Sequence, residues 1–253
     1  MPLDIARIRE LRPVNQIHYF RSVGSTMTEA ARLFAAGAPH GTLVLAEEQT
    51  AGMGRLGRSW ISELEAGIYA SVLLHLYLSP ANLPIASLTL GLATAEAIHR
   101  ATDVSCDLRW PNDVLINERK VAGVLIHLVD DWIVAGIGVN VNHTSFPTGL
   151  RTPATSLRLE SNGRLQSREQ LIVALLESLE GFCSSLHEKG PGAILRAFAA
   201  SSSYAVNRRV VVEEGGIKGL TAGLDENGFL LVQSDAGRIE RIASGGIRPD
   251  YPA

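Results

Sequence analysis

Apolar residues fall along this chain in two rhythms, and the switches between them mark out its elements. Ile17-His-Tyr-Phe20 and Thr42-Leu-Val-Leu-Ala46 are short runs of strand type. Between them, Thr26 and Glu29 stand in capping-box spacing and predict a helix from about Thr26 to Ala36. Gly67 to Leu78 reads as a long strand. Ser79-Pro80 then opens a helix to about Ala101, with Ser79 as N-cap and Pro80 in the first turn. Four strand-like segments follow: Asp107 to Trp110, Val114 to Ile116, Val121 to Val129 and Trp132 to Val139. Ser167 and Gln170 repeat the capping-box spacing, and Leu171, Leu175, Leu176, Leu179, Phe182 and Leu186 mark a long amphipathic helix.

From about residue 204 the rhythm shortens. Arg208 to Glu213, Ile217 to Leu224, Phe229 to Gln233 and Arg238 to Ala243 are β runs separated by glycine-bearing turns, as in a small SH3-like barrel. The expected fold is α+β: a mixed or antiparallel sheet with helices on one face, spanning 1–203, plus a C-terminal β-domain over 204–253. A barrel this small is equally compatible with a passive stabilising appendage and with a working part of a site.

Composition narrows the function without naming it. The chain has 253 residues, 46% hydrophobic and 19% charged, enough for one large domain and a small one with no disordered tail. A formal net charge of −3 argues against a broad basic surface for nucleic acid. Cys106 and Cys183 are too few and too scattered for a disulfide framework or a zinc site, which fits a cytoplasmic protein. Met1 to Glu10 has no signal core, and no apolar run is long enough to span a bilayer. His-Glu-x-x-His, Cys-x-x-Cys and Gly-x-Ser-x-Gly are all missing, so no dedicated metal site or serine nucleophile is expected.

The densest chemistry lies in Ala46-Glu-Glu-Gln-Thr-Ala-Gly-Met-Gly-Arg-Leu-Gly-Arg-Ser-Trp60. Glycines 52, 54 and 57 let backbone N–H groups approach an anion, Arg55 and Arg58 add forked donors, and Trp60 offers a face to a planar ring. Gly52-x-Gly54-x-x-Gly57 matches the dinucleotide-binding pattern in letters. Its context differs, because Glu47 to Ala51 separate it from the strand and no helix pattern follows. A plain surface loop remains the simpler alternative.

Further segments change that balance: Arg109-Trp-Pro-Asn-Asp113, Arg119-Lys-Val-Ala-Gly123 with Val124-Leu-Ile126, Gly136-Ile-Gly-Val-Asn-Val-Asn142, and Ala154-Thr-Ser-Leu157. In this order and at these intervals, with Ser25-Thr26 ahead of them, they resemble biotin protein ligases over nearly the whole chain. Ligases for lipoate share the fold and are less similar in the Gln49-Thr-Ala-Gly52 loop and the Trp110-Pro-Asn-Asp113 segment.

The resemblance implies a two-step ligation with ATP and Mg²⁺, through biotinyl-5′-AMP, onto a lysine of a biotin carboxyl carrier domain. It carries a biotin site over to Ser25, Thr26, Met27, Gln49, Gly52, Met53, Gly54, Arg55, Lys120 and Gly123. The ATP or adenylate site would comprise Arg55, Arg58, Trp60, Asn112, Lys120 and Asn140, with Lys120 and Arg55 catalytic. Trp60 and Asn140 match positions that hold adenine, and Lys120 matches a lysine set against the ligand carboxyl. Without the resemblance, Lys120 reads rather as a solvated lysine at the hairpin turn Asn117-Glu-Arg-Lys120, and Asn112 as part of a simple Asn-Asp turn. Asp113 is a supporting partner at most. Family members occur as monomers and as homodimers. Some carry an N-terminal DNA-binding domain, which the few residues ahead of the first strand lead one not to expect here.

Two positions depart from the family pattern. Met27 follows Ser25-Thr26 where asparagine is usual, and Met53 stands between two glycines where arginine is usual. The lost cation implies compensation by another, such as Arg109, or slow adenylate formation. Two other functions stay open: ligation of lipoate or another small carboxylic acid, and a non-catalytic biotin-binding module.

Overall fold

The computed structural model describes residues 1–251 apart from Tyr77 and Ser79. Strands β1 (Ile17–Phe20), β2 (Leu43–Ala46), β3 (Gly67–Leu74), β4 (Asp107–Arg109), β5 (Asp113–Ile116), β6 (Arg119–Val129) and β7 (Trp132–Asn140) form one sheet in the order β1-β2-β3-β7-β6-β5-β4. β1 and β2 are parallel and every other neighbouring pair is antiparallel, so the sheet is mixed, as the sequence predicts.

Alternation along the strands sends the two faces to different tasks. Ile68, Ala70, Val72 and Leu74 of β3, with Ile133, Ala135, Ile137 and Val139 of β7, enter the main apolar core. That core lies beneath α3 (Leu83–Thr102) and α5 (Arg168–Lys189), which pack on each other. Leu73, Val134 and Val44 point the other way, into a smaller cluster with Met27 and Ala30 of α2 (Thr26–Ala35). The principal helices therefore cover one face, as expected, while α2 alone sits on the other and leaves most of it free for a site.

Element ends differ from the sequence reading for local reasons. Ser25, not Thr26, caps α2, its hydroxyl accepting from Met27 N at 3.3 Å. Thr26 is thereby released to bond across the site. β3 stops at Leu74, where its register with β7 ends at the Leu74–Ile133 pair. α3 begins at Leu83 after a short 3-10 turn at Pro80–Asn82, and the expected cap Ser79 lies outside the described residues. Three helices went unread: α1 (Ile5–Leu11), capped by Asp4, the short α4 (Leu157–Glu160) and α6 (Pro191–Ser201).

The C-terminal strands β8 (Val206–Val212), β9 (Lys218–Leu224), β10 (Leu230–Ser234), β11 (Ile239–Ile242) and β12 (Ile247–Pro249) form an antiparallel sheet in the order β11-β10-β9-β8-β12. Its buried side chains Val210, Val212, Leu230, Val232, Ile242 and Ile247 belong to the same apolar cluster as the large sheet. Trp110 Nε1 donates to Gly228 O at 3.0 Å, and a Cβ on Gly228 would lie 3.2 Å from Ile85. Shared core and polar stitch fix the small sheet against the large one.

One buried ion pair fastens the loop that leaves β2. Glu47 is wholly buried; its carboxylate accepts from Leu3 N, from Tyr19 Oη at 3.0 Å and from Arg168 Nη1 at 2.6 Å. Arg168 also donates to the carbonyls of Gly67 and Met1.

Candidate functional site

The free face of the sheet is hollowed by glycine. Gly123 of β6 and Gly138 of β7 are direct partners in register, and Gly136 stands opposite Leu125 two pairs along, on the same face. With no Cβ there, other groups approach the backbone closely. A Cβ on Gly138 would lie 2.4 Å from the Trp60 indole, and one on Gly136 would lie 2.6 Å from Met27 Sδ. The Trp60 ring thus lies across the trough with its buried Nε1 unpartnered among the described residues.

Two cavities adjoin at this point. The smaller, about 50 Å³, is walled by Ser25, Thr26, Met27 and Gln49 on one side and by Gly123, Gly136 and Gly138 below. The larger, about 190 Å³, takes in Arg58, Asn140, Phe146 and Arg151 and reaches Glu213, Gly245 and Gly246 of the C-terminal domain. Gly54, Arg55, Trp60, Asn112 and Lys120 line both.

Polar groups of the small cavity are held in a fixed chain. Gln49 Oε1 accepts from Thr26 N at 2.8 Å and from Thr26 Oγ1 at 3.0 Å, its Nε2 donates to Ser62 Oγ, and Ser71 Oγ donates to Thr26 Oγ1. Such a wall is prepared for a ligand carrying both donors and acceptors.

Charge concentrates where the cavities meet. Lys120 Nζ lies 2.5 Å from Asp113 Oδ1 and 5.4 Å from the Trp60 ring centroid, and Arg109 Nη2 lies 2.6 Å from Asp113 Oδ2. Burial alone raises the Asp113 pKa, but Lys120 and Arg109 overcome it and hold the carboxyl below its ordinary value. Arg55 Nη1 donates to Gly245 O at 2.8 Å and is 3.4 Å from Asn112 Oδ1. Burial lowers its pKa, with Asp113 and Glu214 opposing. Arg58 and Arg151 both bond Glu213.

Most residues singled out from sequence come together here, and two, Gly52 and Arg109, are placed differently from expectation. Gly52 lines neither cavity; its carbonyl accepts from Trp60 N at 2.9 Å, and a Cβ would strike Trp60 O at 2.5 Å, so it closes the loop. Arg109 is no spare cation: it is buried and spent on Asp113 and Thr152. Asn112 uses its amide N–H on Val124 O, at 2.9 Å, and turns its oxygen to Arg55. Asn140 donates to Thr155 O at 3.0 Å, leaving Oδ1 for a ligand.

The glycine pattern 52-54-57 forms a 3-10 turn at Arg55–Gly57 with Leu56 and Gly57 at positive φ, and not the start of a Rossmann helix. Among the described residues no cluster of His, Cys, Asp and Glu can hold a metal, and no helix is long and apolar enough to cross a membrane.

Sequence reasoning missed Gly136, Gly138, Phe146, Arg151 and the C-terminal Glu213, Gly245 and Gly246. Gly136 and Gly138 carried a signal, two glycines in alternation within one strand. The rest carried none locally.

Residues 19–143 match the biotin/lipoate A/B protein ligase family, and residues 206–247 match the biotin protein ligase C terminal domain. The chain is 33% identical to the bifunctional ligase/repressor BirA of Bacillus spizizenii over 89% of its own length and 71% of the relative's. It is 31% identical to the biotin–[acetyl-CoA-carboxylase] ligase of Mycobacterium tuberculosis over 92% of its length and 88% of the relative's. A solved structure of the biotin protein ligase from Aquifex aeolicus in complex with biotin and ATP superposes with a TM-score of 0.79 at 33% identity, covering 92% of this chain and 97% of that one.

Proposed function

Because the chain belongs to the biotin protein ligase family, we propose that it activates biotin with ATP and transfers it to a lysine of a biotin carboxyl carrier domain in the cytoplasm. The observation that carries this is the meeting of two unlike cavities at Lys120, Arg55 and Asn112. One is small and edged by Ser25, Thr26 and Gln49, suited to the ureido ring; the other is larger, with cations on its rim and Trp60 and Phe146 in its wall, suited to a nucleotide.

The chemistry follows from the charges. A biotin carboxylate oxygen attacks the α-phosphorus of ATP, the bond to the bridging oxygen breaks, and pyrophosphate leaves with its charge. Two anions must be brought together while negative charge accumulates, so fixed positive groups supply the main stabilisation. Lys120 stands at the junction, held by Asp113, and Arg55 is braced from both sides by Asn112 and the Gly245 carbonyl. Mg²⁺ enters with ATP as part of the substrate. In the second step the acceptor amine attacks the acyl carbon and loses a proton, and the C–O bond to AMP breaks.

Incubating the protein with biotin, Mg²⁺-ATP and an isolated biotin carboxyl carrier domain should add one biotinyl group to a single lysine, read by intact mass and peptide mapping. An unmodified carrier alongside accumulated adenylate would contradict the transfer step.

A further inference from the structure

Glu213 belongs to the C-terminal sheet, one residue past the end of β8, yet its carboxylate stands at the larger cavity and serves two cations of the other domain. Oε2 lies 3.2 Å from Arg58 Nη2 and Oε1 lies 3.0 Å from Arg151 Nε. Its side chain is only 8% exposed, while the two arginines are 46% and 49% exposed. The backbone is pinned by a bond from Glu213 N to Gly246 O at 2.8 Å, and a Cβ on Gly246 would press to 3.1 Å from Oε2.

Neither arginine has another ion-pair partner among the described residues. A long side chain half in water explores many rotamers unless something holds it. One carboxylate shared by both holds two guanidiniums from different loops at the rim of one cavity. Its single negative charge leaves the trio positive, and each guanidinium keeps unused N–H donors.

We propose that Glu213 is a positioning residue for the nucleotide: it orders Arg58 and Arg151 to receive the polyphosphate of ATP. This rests on the ligase reading above. It supplies, through Arg151, a cation on the phosphate side where Met53 provides none.

The test is adenylate formation by the full chain, with the KM of ATP and of biotin measured separately. Glu213→Gln should raise the KM of ATP about tenfold, the scale of a lost charge-assisted contact, and leave the KM of biotin and the melting temperature unchanged. Glu213→Asp should recover part of the loss. Adding Arg151→Gln to Glu213→Gln should cost less than it does in the wild type, since the two act as a unit. An unchanged or lowered KM of ATP in Glu213→Gln, or equal damage to both substrates, would overturn the proposal. If Glu213→Gln does not fold, Arg151→Gln alone must show the same selective rise in the KM of ATP. A wild type that forms no adenylate contradicts the ligase reading only, and calorimetric ATP affinity across the same variants then decides the role of Glu213.

Discussion

Lys120 stands where the two cavities join, between the Asp113 carboxylate and the face of Trp60. Replacing it with methionine keeps its length and removes the cation, while Arg109 still neutralises Asp113. Adenylate formation should fall by roughly 10²–10³-fold with little change in melting temperature; single-turnover kinetics would reveal it, and a near-normal rate would remove Lys120 from the chemistry. Met53, 44% exposed on the lip of the small cavity, is the converse case. Met53→Arg should speed adenylate formation by about tenfold or more if the missing cation limits this protein. No gain in rate or adenylate lifetime would show that other groups already suffice.

His143 is a residue whose burial sets a pH dependence. Tyr69 donates its hydroxyl proton to Glu63 O at 2.8 Å, so the His143 ring contributes Nε2–H to the Tyr69 oxygen at 3.2 Å and is neutral. Burial pushes its pKa down to about 4. An unfolded histidine titrates near 6.5, so between about pH 6.5 and 4 the unfolded chain binds a proton that the folded chain refuses. This contribution is complete above pH 6.5 and is lost as pH falls toward 4, at most roughly 3 kcal/mol. Denaturant melts across that range should flatten in His143→Gln; an equal slope in both proteins would contradict the assignment.

At the scale of elements, the site depends on a trough and on the loop laid over it. Glycines facing each other on β6 and β7 leave no side chains where Trp60 lies, so Gly138→Ala should displace the indole and abolish nucleotide-dependent activity while the strand pairing persists. The loop itself is anchored at its root by Glu47 and Arg168. Arg168→Met would strand a buried carboxylate and should cost about 3–5 kcal/mol, read as a lowered unfolding midpoint. A loss under about 1 kcal/mol, the scale of an exposed ion pair, would show that the pair is not buried in solution.

Elements are also the scale at which the sequence was most legible. β2 and β7 are buried on both faces and read as continuous apolar runs, while α5 buries one face and leaves a 3.6-residue trace in the chain. The cap of α2 was misplaced by one residue because Ser25 and Thr26 can both cap, and only tertiary structure decides which hydroxyl is needed elsewhere. The site residues on the glycine loop, the Trp-Pro-Asn-Asp turn and β6 were readable because they form contiguous motifs. Arg151 and Glu213 are single charges in unremarkable surroundings, and their roles arise only from the docking of one domain on another.

For the whole molecule, the decisive feature is that the C-terminal sheet closes the larger cavity as well as sharing the apolar core. Gly245 receives Arg55, Glu213 holds Arg58 and Arg151, and Gly228 receives Trp110. Every cation expected to meet phosphate, apart from Lys120, is thus braced by a domain separate in sequence. Such bracing fixes dipoles and charges before the substrate arrives, and preorganisation of this kind is the main source of rate in a reaction between anions.

The most direct test of this assignment is mass-spectrometric detection of the acyl-adenylate formed when the purified protein meets biotin, ATP and Mg²⁺, with lipoate run in parallel. The structure and its family predict that biotin yields biotinyl-5′-AMP and pyrophosphate while lipoate yields no adenylate. Adenylate from lipoate and none from biotin, or none from either, would contradict it.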